Sequence, residues 1–144
     1  MNVSSIDISA SGMRAQRLRM DLIAGNLANV DTTSARRETR KTAEGVAVTR
    51  HVPYARKLAV FTAGPSIGGV PSPAARVVED DAPFRRELNP SHPHADASGM
   101  VEHPNVHPIA EMVDMIAASR AYEANVSAMD TAKAMAAASL RILA

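Results

Sequence analysis

Apolar residues recur with helical spacing at both ends of the chain, and the middle breaks that rhythm. From about Ser5 to Asn29, the residues Ile6, Met13, Met20 and Leu27 return every seven positions, and Ser9, Gln16, Ile23 and Val30 each follow three positions later. This spacing lays one partly apolar stripe along a helix. The pattern Ser4-x-x-Asp7 offers short oxygen-bearing side chains where a helix start leaves amides unpaired. A seven-residue repeat drifts on a straight helix, so it favours slight left-handed winding around a partner.

A second and longer helix is predicted from Pro108 to Leu143. Here Met112, Met115, Ser119, Tyr122, Val126, Met129, Lys133, Ala136, Leu140 and Leu143 step by four and three, a seam with two polar interruptions. Pro108 suits the first helical position, and Glu111 lies near the positive end of the helix dipole. Such a helix would run roughly 50 Å at the usual rise per residue.

Between them, Asp31 to His107 holds eight of the nine prolines and five of the seven glycines. Short alternating stretches (Val46, Val48, Arg50 and Val52; Leu58 and Val60; Arg76-Val77-Val78) predict strands. From Asn89 to Pro108 four prolines argue against a regular ladder and predict an extended arm or ordered loop. The expected fold class is therefore α+β, with the N- and C-terminal helices paired as an antiparallel coiled coil around a small β-rich, proline-rich insert. The divisions are 1–33 for the first helix of the coiled-coil domain, 34–88 for the β-rich insert, 89–107 for the proline- and histidine-rich arm, and 108–144 for the second helix.

Composition changes this picture in one respect. Among 144 residues 46% are apolar but only 3% aromatic, so one folding unit with a thin, Ala- and Met-rich core is expected, its stability dependent on partners. Net charge is +1, yet residues 1–60 carry ten basic and five acidic side chains, and residues 61–144 carry six and ten. The two stretches are electrostatically complementary. No cysteine is present, which removes disulfides and thiolate chemistry. The N-terminus lacks a basic segment followed by an apolar run, and no apolar stretch is long enough for a bilayer, so neither secretory cleavage nor direct membrane insertion is expected.

Candidate chemistry is sparse. His92, His94, His103 and His107, with Asp96 and Glu102, are ligand types for zinc, but their spacing matches no metal signature and reads as a polar, proline-fixed loop; no metal or other cofactor is expected. No GxSxG elbow or grouped nucleophile and base occurs, so no catalytic residue is assigned. The run Gly64-Pro65-Ser66-Ile67-Gly68-Gly69 lacks the Lys-Ser/Thr ending of a phosphate loop and reads as a turn. Arg14, Arg17, Arg19, Arg36, Arg37, Arg40 and Lys41 resemble a nucleic-acid footprint. Interspersed carboxylates and missing aromatics favour a solvated or partner-facing surface instead, with no nucleic-acid partner.

Three stretches carry a resemblance. SGMRAQRLRMDLIAGNLANVDTT (Ser11 to Thr33) is similar to the helix of flagellar rod and hook proteins that closes on Asn-Leu-Ala-Asn-Val-Asp-Thr. NPSHPHADASGMVEHPNVHP (Asn89 to Pro108) is similar to the proline-rich stretch of proximal-rod proteins of the FlgC type. EMVDMIAASRAYEANVSAMDTAKAMAAASLRIL (Glu111 to Leu143) is similar to the C-terminal helix with its Ser-Arg-x-Tyr-x-Ala-Asn core. Together they cover just over half the chain, and Val77 to Pro83 is similar to the family's strand and acidic turn. Met100 departs from the pattern, where an aromatic is common, as do Arg36 and Arg37 after the Asn-Val-Asp-Thr motif.

The sequence thus resembles the axial proteins of the bacterial flagellum, most closely the FlgC type. That resemblance implies a non-enzymatic subunit of the proximal rod, exported uncleaved by the flagellar type III apparatus and assembled where the rod crosses the periplasm. The implied partners are copies of itself, other proximal and distal rod subunits, the rod base adjoining the MS ring and export gate, and the export apparatus. Another rod or hook axial subunit is the alternative, with a coiled-coil nucleic-acid-binding protein the less favoured one. The family motif falls on Asn26, Asn29, Asp31, Thr32, His92, Pro93, Asp96, Gly99, Pro104, Asn105 and Pro108. The expected assembly interface is Ile6, Met13, Met20, Ile23, Leu27 and Val30 of the first helix with Met112, Met115, Tyr122, Val126, Met129, Leu140 and Leu143 of the second, forming an inner layer with the β insert outward.

Overall fold

The computed structural model describes residues 3–41, 47–67 and 69–143. Helix α1 (Val3–Ala28) and helix α2 (Pro108–Leu143) lie at the two ends of the sequence, and the strands between them are β1 (Arg36–Lys41), β2 (Ala47–Val52), β3 (Lys57–Ile67), β4 (Val70–Glu79), β5 (Arg85–Leu88) and β6 (Met100–His103). The α+β class is as expected. The strands form three separate two-stranded sheets among the described residues, β1 with β2, β3 with β4 and β5 with β6.

Local chemistry sets the ends of the elements. α2 begins at Pro108, whose missing N–H would be unpaired there in any case. α1 begins two residues before the expected Ser5; the Ser4 side chain, to which the start signal was assigned, lies outside the described residues. α1 stops where the Asn29 Nδ2 donates to the Gly25 carbonyl at 2.9 Å, giving the chain an alternative to another helical turn.

β1 and β2 pair antiparallel, Arg36 opposite Val52 and Thr39 opposite Thr49. The expected strand over Val46 to Val52 corresponds to β2, with Val46 outside the described residues. Gly64 to Ile67 belong to β3, so of the predicted glycine turn only Gly69 is a turn residue here, Gly68 lying outside the described residues. Gly69 has φ +83, a conformation costly for any other residue. At Gly64 an added Cβ would stand 3.0 Å from the Ala74 Cβ, so glycine permits the close pairing of β3 with β4. Prolines 65, 71 and 73 are tolerated because each strand of a two-stranded sheet has one unpaired edge.

The 89–107 segment is not a ladder-free arm. Its stretch from His94 to His103 contains no proline, and Met100 to His103 pair antiparallel with β5, Leu88 opposite Met100 and Arg85 opposite His103. The single folding unit expected from length is also revised, because the chain divides into two compact units. One contains Met1–Ala24, Leu58–Val78 and Met112–Ala144; the other contains Gly25–Lys57 and Glu79–Glu111. The aromatic-poor composition offers no bulky interior around which a single core would close.

Among the described residues the buried hydrophobic positions are few and mostly small. In the first unit they are Ala15, Ile23, Ala118 and Ala132, and in the second Val101 and Val106.

A buried polar clamp and the phase of the helix stripes

The most buried functional groups of the second unit are polar. Asn26, on the last turn of α1, is 1% exposed, and Glu111, in the first turn of α2, is also 1% exposed. The Asn26 Nδ2 donates to the Lys57 carbonyl at 2.9 Å and to the Glu111 Oε2 at 3.2 Å. Its Oδ1 accepts from the Lys57 amide at 2.9 Å and from the Tyr54 hydroxyl at 3.1 Å. Both ends of the side-chain amide are thereby satisfied, a condition for burying it without a large penalty.

Glu111 carries a charge into this site and Arg56 answers it. Arg56 Nε and Nη2 both reach the Glu111 Oε1 at 2.6 Å, and Nη1 lies 3.4 Å from the Asp80 carboxylate. Burial pulls the Arg56 pKa down. Hydrogen bonds and charge from Glu111, then from Asp80, outweigh it and hold the guanidinium above its ordinary value. The Tyr54 hydroxyl is also raised, first by burial and then by the charges of Glu111 and Glu79. The Arg56 amide donates to the Asn105 Oδ1 at 3.2 Å, and the Asn105 Nδ2 to the Ala82 carbonyl at 3.3 Å. Six side chains from the end of α1, the β2–β3 connection, the acidic turn after β4, the β6–α2 connection and the start of α2 thus form one network. Because Arg56 and Asp80 side chains remain about a fifth exposed, the pair is not fully removed from water.

The other motif residues build turns. Thr32 Oγ1 donates to the Asn29 Oδ1 at 3.1 Å, and the Thr32 carbonyl accepts from the Tyr54 amide at 3.0 Å. Asp31 and Pro93 are exposed, Pro104 is buried, and Pro108 opens α2. The Asp96 Oδ1 accepts from the amides of Ser98 (2.8 Å) and Met100 (2.9 Å) and from the Ser98 hydroxyl (2.6 Å). Those bonds, the Ser98 hydroxyl foremost, hold the carboxyl below its usual range. Gly99 has φ +77, and an added Cβ would meet Pro90 at 3.1 Å. His92 accepts a bond at Nδ1 from the His94 amide. The carboxylates considered as metal ligands are engaged elsewhere, Asp96 in this turn and Glu102 with Arg50 (2.6 Å) and Arg86 (3.1 Å). No group of three ligand side chains suited to a metal ion occurs among the described residues.

In the first unit the helices meet along small residues. On α2 in this unit Ala118 and Ala132 are buried, each one residue before the expected Ser119 and Lys133, while Met115, Tyr122, Asn125, Val126, Met129 and Ala136 are partly buried. On α1 the buried rungs are Ser11, Gly12, Ala15 and Ile23. A Cβ on Gly12 would come within 3.0 Å of the Asn125 Oδ1, and Arg19 pairs with Asp114 at 2.8 Å. Ala, Gly and Ser at these rungs allow close backbone approach, whereas the apolar count favoured their larger neighbours.

Of the expected interface residues, Ile23 is buried, while Ile6, Met13, Met20, Leu27, Val30, Met115, Tyr122, Val126 and Met129 are partly buried. Met112 and Leu140 are 53% and 57% exposed, so neither is covered within the chain. The Leu143 side chain lies outside the described residues. Ile109 (80% exposed), Val113 (62%) and Ile116 (57%) join Met112 at helical spacing, a contiguous apolar face that sequence reading did not isolate. Arg14 and Arg17 are exposed on α1. No helix among the described residues is long and apolar enough to cross a membrane.

Two family models match this chain. Residues 6–36 match the flagella basal body rod protein family, and residues 97–142 match the C-terminal region of the flagellar basal body rod FlgEFG proteins. The class is therefore that of flagellar basal-body rod proteins. The chain is 36% identical to the flagellar basal-body rod protein FlgC of Bacillus subtilis over 152 residues, covering 96% of this chain and 95% of the relative. It is 36% identical to FlgC of Borreliella burgdorferi, with 97% and 96% covered, and 37% identical to FlgC of Salmonella typhimurium, with 90% and 88% covered. The chain belongs to the FlgC family of flagellar basal-body rod proteins.

Proposed function

We infer that this chain is a structural subunit of the proximal rod in the flagellar basal body. The observation that carries the reading is similarity to FlgC proteins along nearly the whole length of both chains. The apolar face of α2 supports it, since four large side chains at one helical stripe are stabilised only when a neighbour covers them.

Antiparallel pairing of α1 and α2 is supported by the order of their contacts. Gly12 faces Asn125 and Arg19 pairs with Asp114, so advancing along one helix means retreating along the other. The role is mechanical, without catalysis. Export by the type III apparatus without cleavage, and assembly with like and unlike rod subunits above the MS ring and export gate, follow from the same family reading. A chain whose buried groups are small and few crosses an export channel unfolded at modest cost and gains its missing burial on assembly. The expected interface residues, mostly half-covered in the isolated chain, are suited to such contacts.

Deleting the gene tests this. Basal bodies purified from the deletion strain should stop before the distal rod, and complementation should restore them; complete rods in the deletion strain would contradict the reading.

A further inference from the structure

We propose that His51, His92 and His94 form a proton-sensitive lock that fastens the turn after α1, strand β2 and the histidine–proline loop to one another. The His51 and His94 rings stack with centroids 4.2 Å apart at an interplanar angle of 21°, and the His92 ring meets His94 edge-on at 5.2 Å. Each ring also uses Nδ1. His94 Nδ1 is 2.8 Å from the hydroxyl of buried Thr33, His51 Nδ1 is 2.9 Å from the Ser34 hydroxyl, and His92 Nδ1 accepts from the His94 amide at 3.1 Å.

These contacts suit neutral imidazoles. The His92 Nδ1 accepts from a backbone N–H that cannot reverse its role, so the proton of neutral His92 must sit on Nε2. Protonating Nδ1 would set two donors against each other and break that bond. Charging both His51 and His94 would place two cations in a parallel stack. The charged groups acting on His94 are His51 of β2, His92 of its own loop and Arg37 of β1, all basic. Accordingly, burial first and then those neighbours hold its pKa below the ordinary histidine value.

The sign follows from linkage. A histidine depressed in the locked state binds a proton more readily once the lock opens, so acid favours opening. The fastening is complete above the ordinary histidine value of about 6.5 and is lost progressively below it, until the locked state itself takes the proton.

Amide hydrogen exchange on the full chain tests the lock, read at Ala35, Tyr54 and His94, whose N–H groups bond Val52, Thr32 and His92. After correction for intrinsic rates, lowering the pH from about 7.5 to about 5.5 should raise their opening constants at least roughly threefold, while amides in the middle of α2 stay unchanged. His94→Phe keeps a ring in the stack but removes its proton and should flatten the response at Ala35 and Tyr54, while the amide of residue 94 still follows His92. Should that variant not fold, His51→Phe serves the same purpose. Equal pH dependence at Ala35 and Tyr54 in wild type and the folded variant, or a His94 imidazole resonance titrating as an independent free group, would overturn the proposal.

Discussion

The two units of this chain hold themselves together by different means. The Gly25–Lys57 and Glu79–Glu111 unit buries a polar network, with Asn26 and Glu111 among its least exposed side chains. The other unit buries Ala15, Ala118 and Ala132 along its helices and leaves Met112, Val113, Ile116, Met135 and Leu140 more than half exposed. Directional hydrogen bonds fix one arrangement of the segments they join, because a misplaced partner leaves a buried group unsatisfied. Small apolar rungs permit close approach but contribute little area. Fixed local geometry therefore belongs to the second unit, with its polar network, and unfinished burial, available to neighbours, to the first.

Removing the clamp's charge is the strongest way to break this contrast. Glu111→Ala takes the buried carboxylate away from the Arg56 guanidinium and should cost about 3 kcal/mol, in the range for breaking a buried ion pair. Chemical denaturation of the isolated chain measures it, and a loss no greater than that of a surface substitution would deny the clamp its role. Asn26→Ala removes four hydrogen bonds but no charge, leaving the Lys57 amide and carbonyl to find other partners. Its expected cost is about 2 kcal/mol by the same measurement.

The first unit should respond less. Gly12→Ala gains about 1 kcal/mol of helix propensity, offset by pressure on Asn125. Relieving that pressure with Asn125→Ala should expose the gain, so a double-mutant cycle should report coupling of roughly 1 kcal/mol between the two positions. Strict additivity would mean that the helices do not meet at Gly12.

The comparison also separates what the sequence discloses from what it conceals. Both helices are legible because their period persists over many turns, and α2 runs over the expected Pro108 to Leu143. The phase of the stripe is not, because Gly12, Ala118 and Asn125 score as weakly apolar or polar although they occupy buried or half-buried rungs. Asn26, Asn105 and the turn residues around Asp96 stand out through resemblance to the family. Arg56 and Tyr54 do not: Arg56 meets Glu111 across 55 positions of sequence, and no local spacing signals the pair. Strand β6 is hidden in the same way, since a proline-dense composition masks a short proline-free stretch that pairs only because β5 lies beside it.

If the exposed apolar face of α2 is where this subunit meets its neighbours in the rod, a crosslinker on that face should capture them. A photo-crosslinking residue substituted at Ile116 in a motile strain tests it most directly. Covalent adducts to another rod subunit are expected in purified basal bodies, with none from the same residue placed at exposed Asp31. Complete rods containing the Ile116 probe but free of adducts would contradict it.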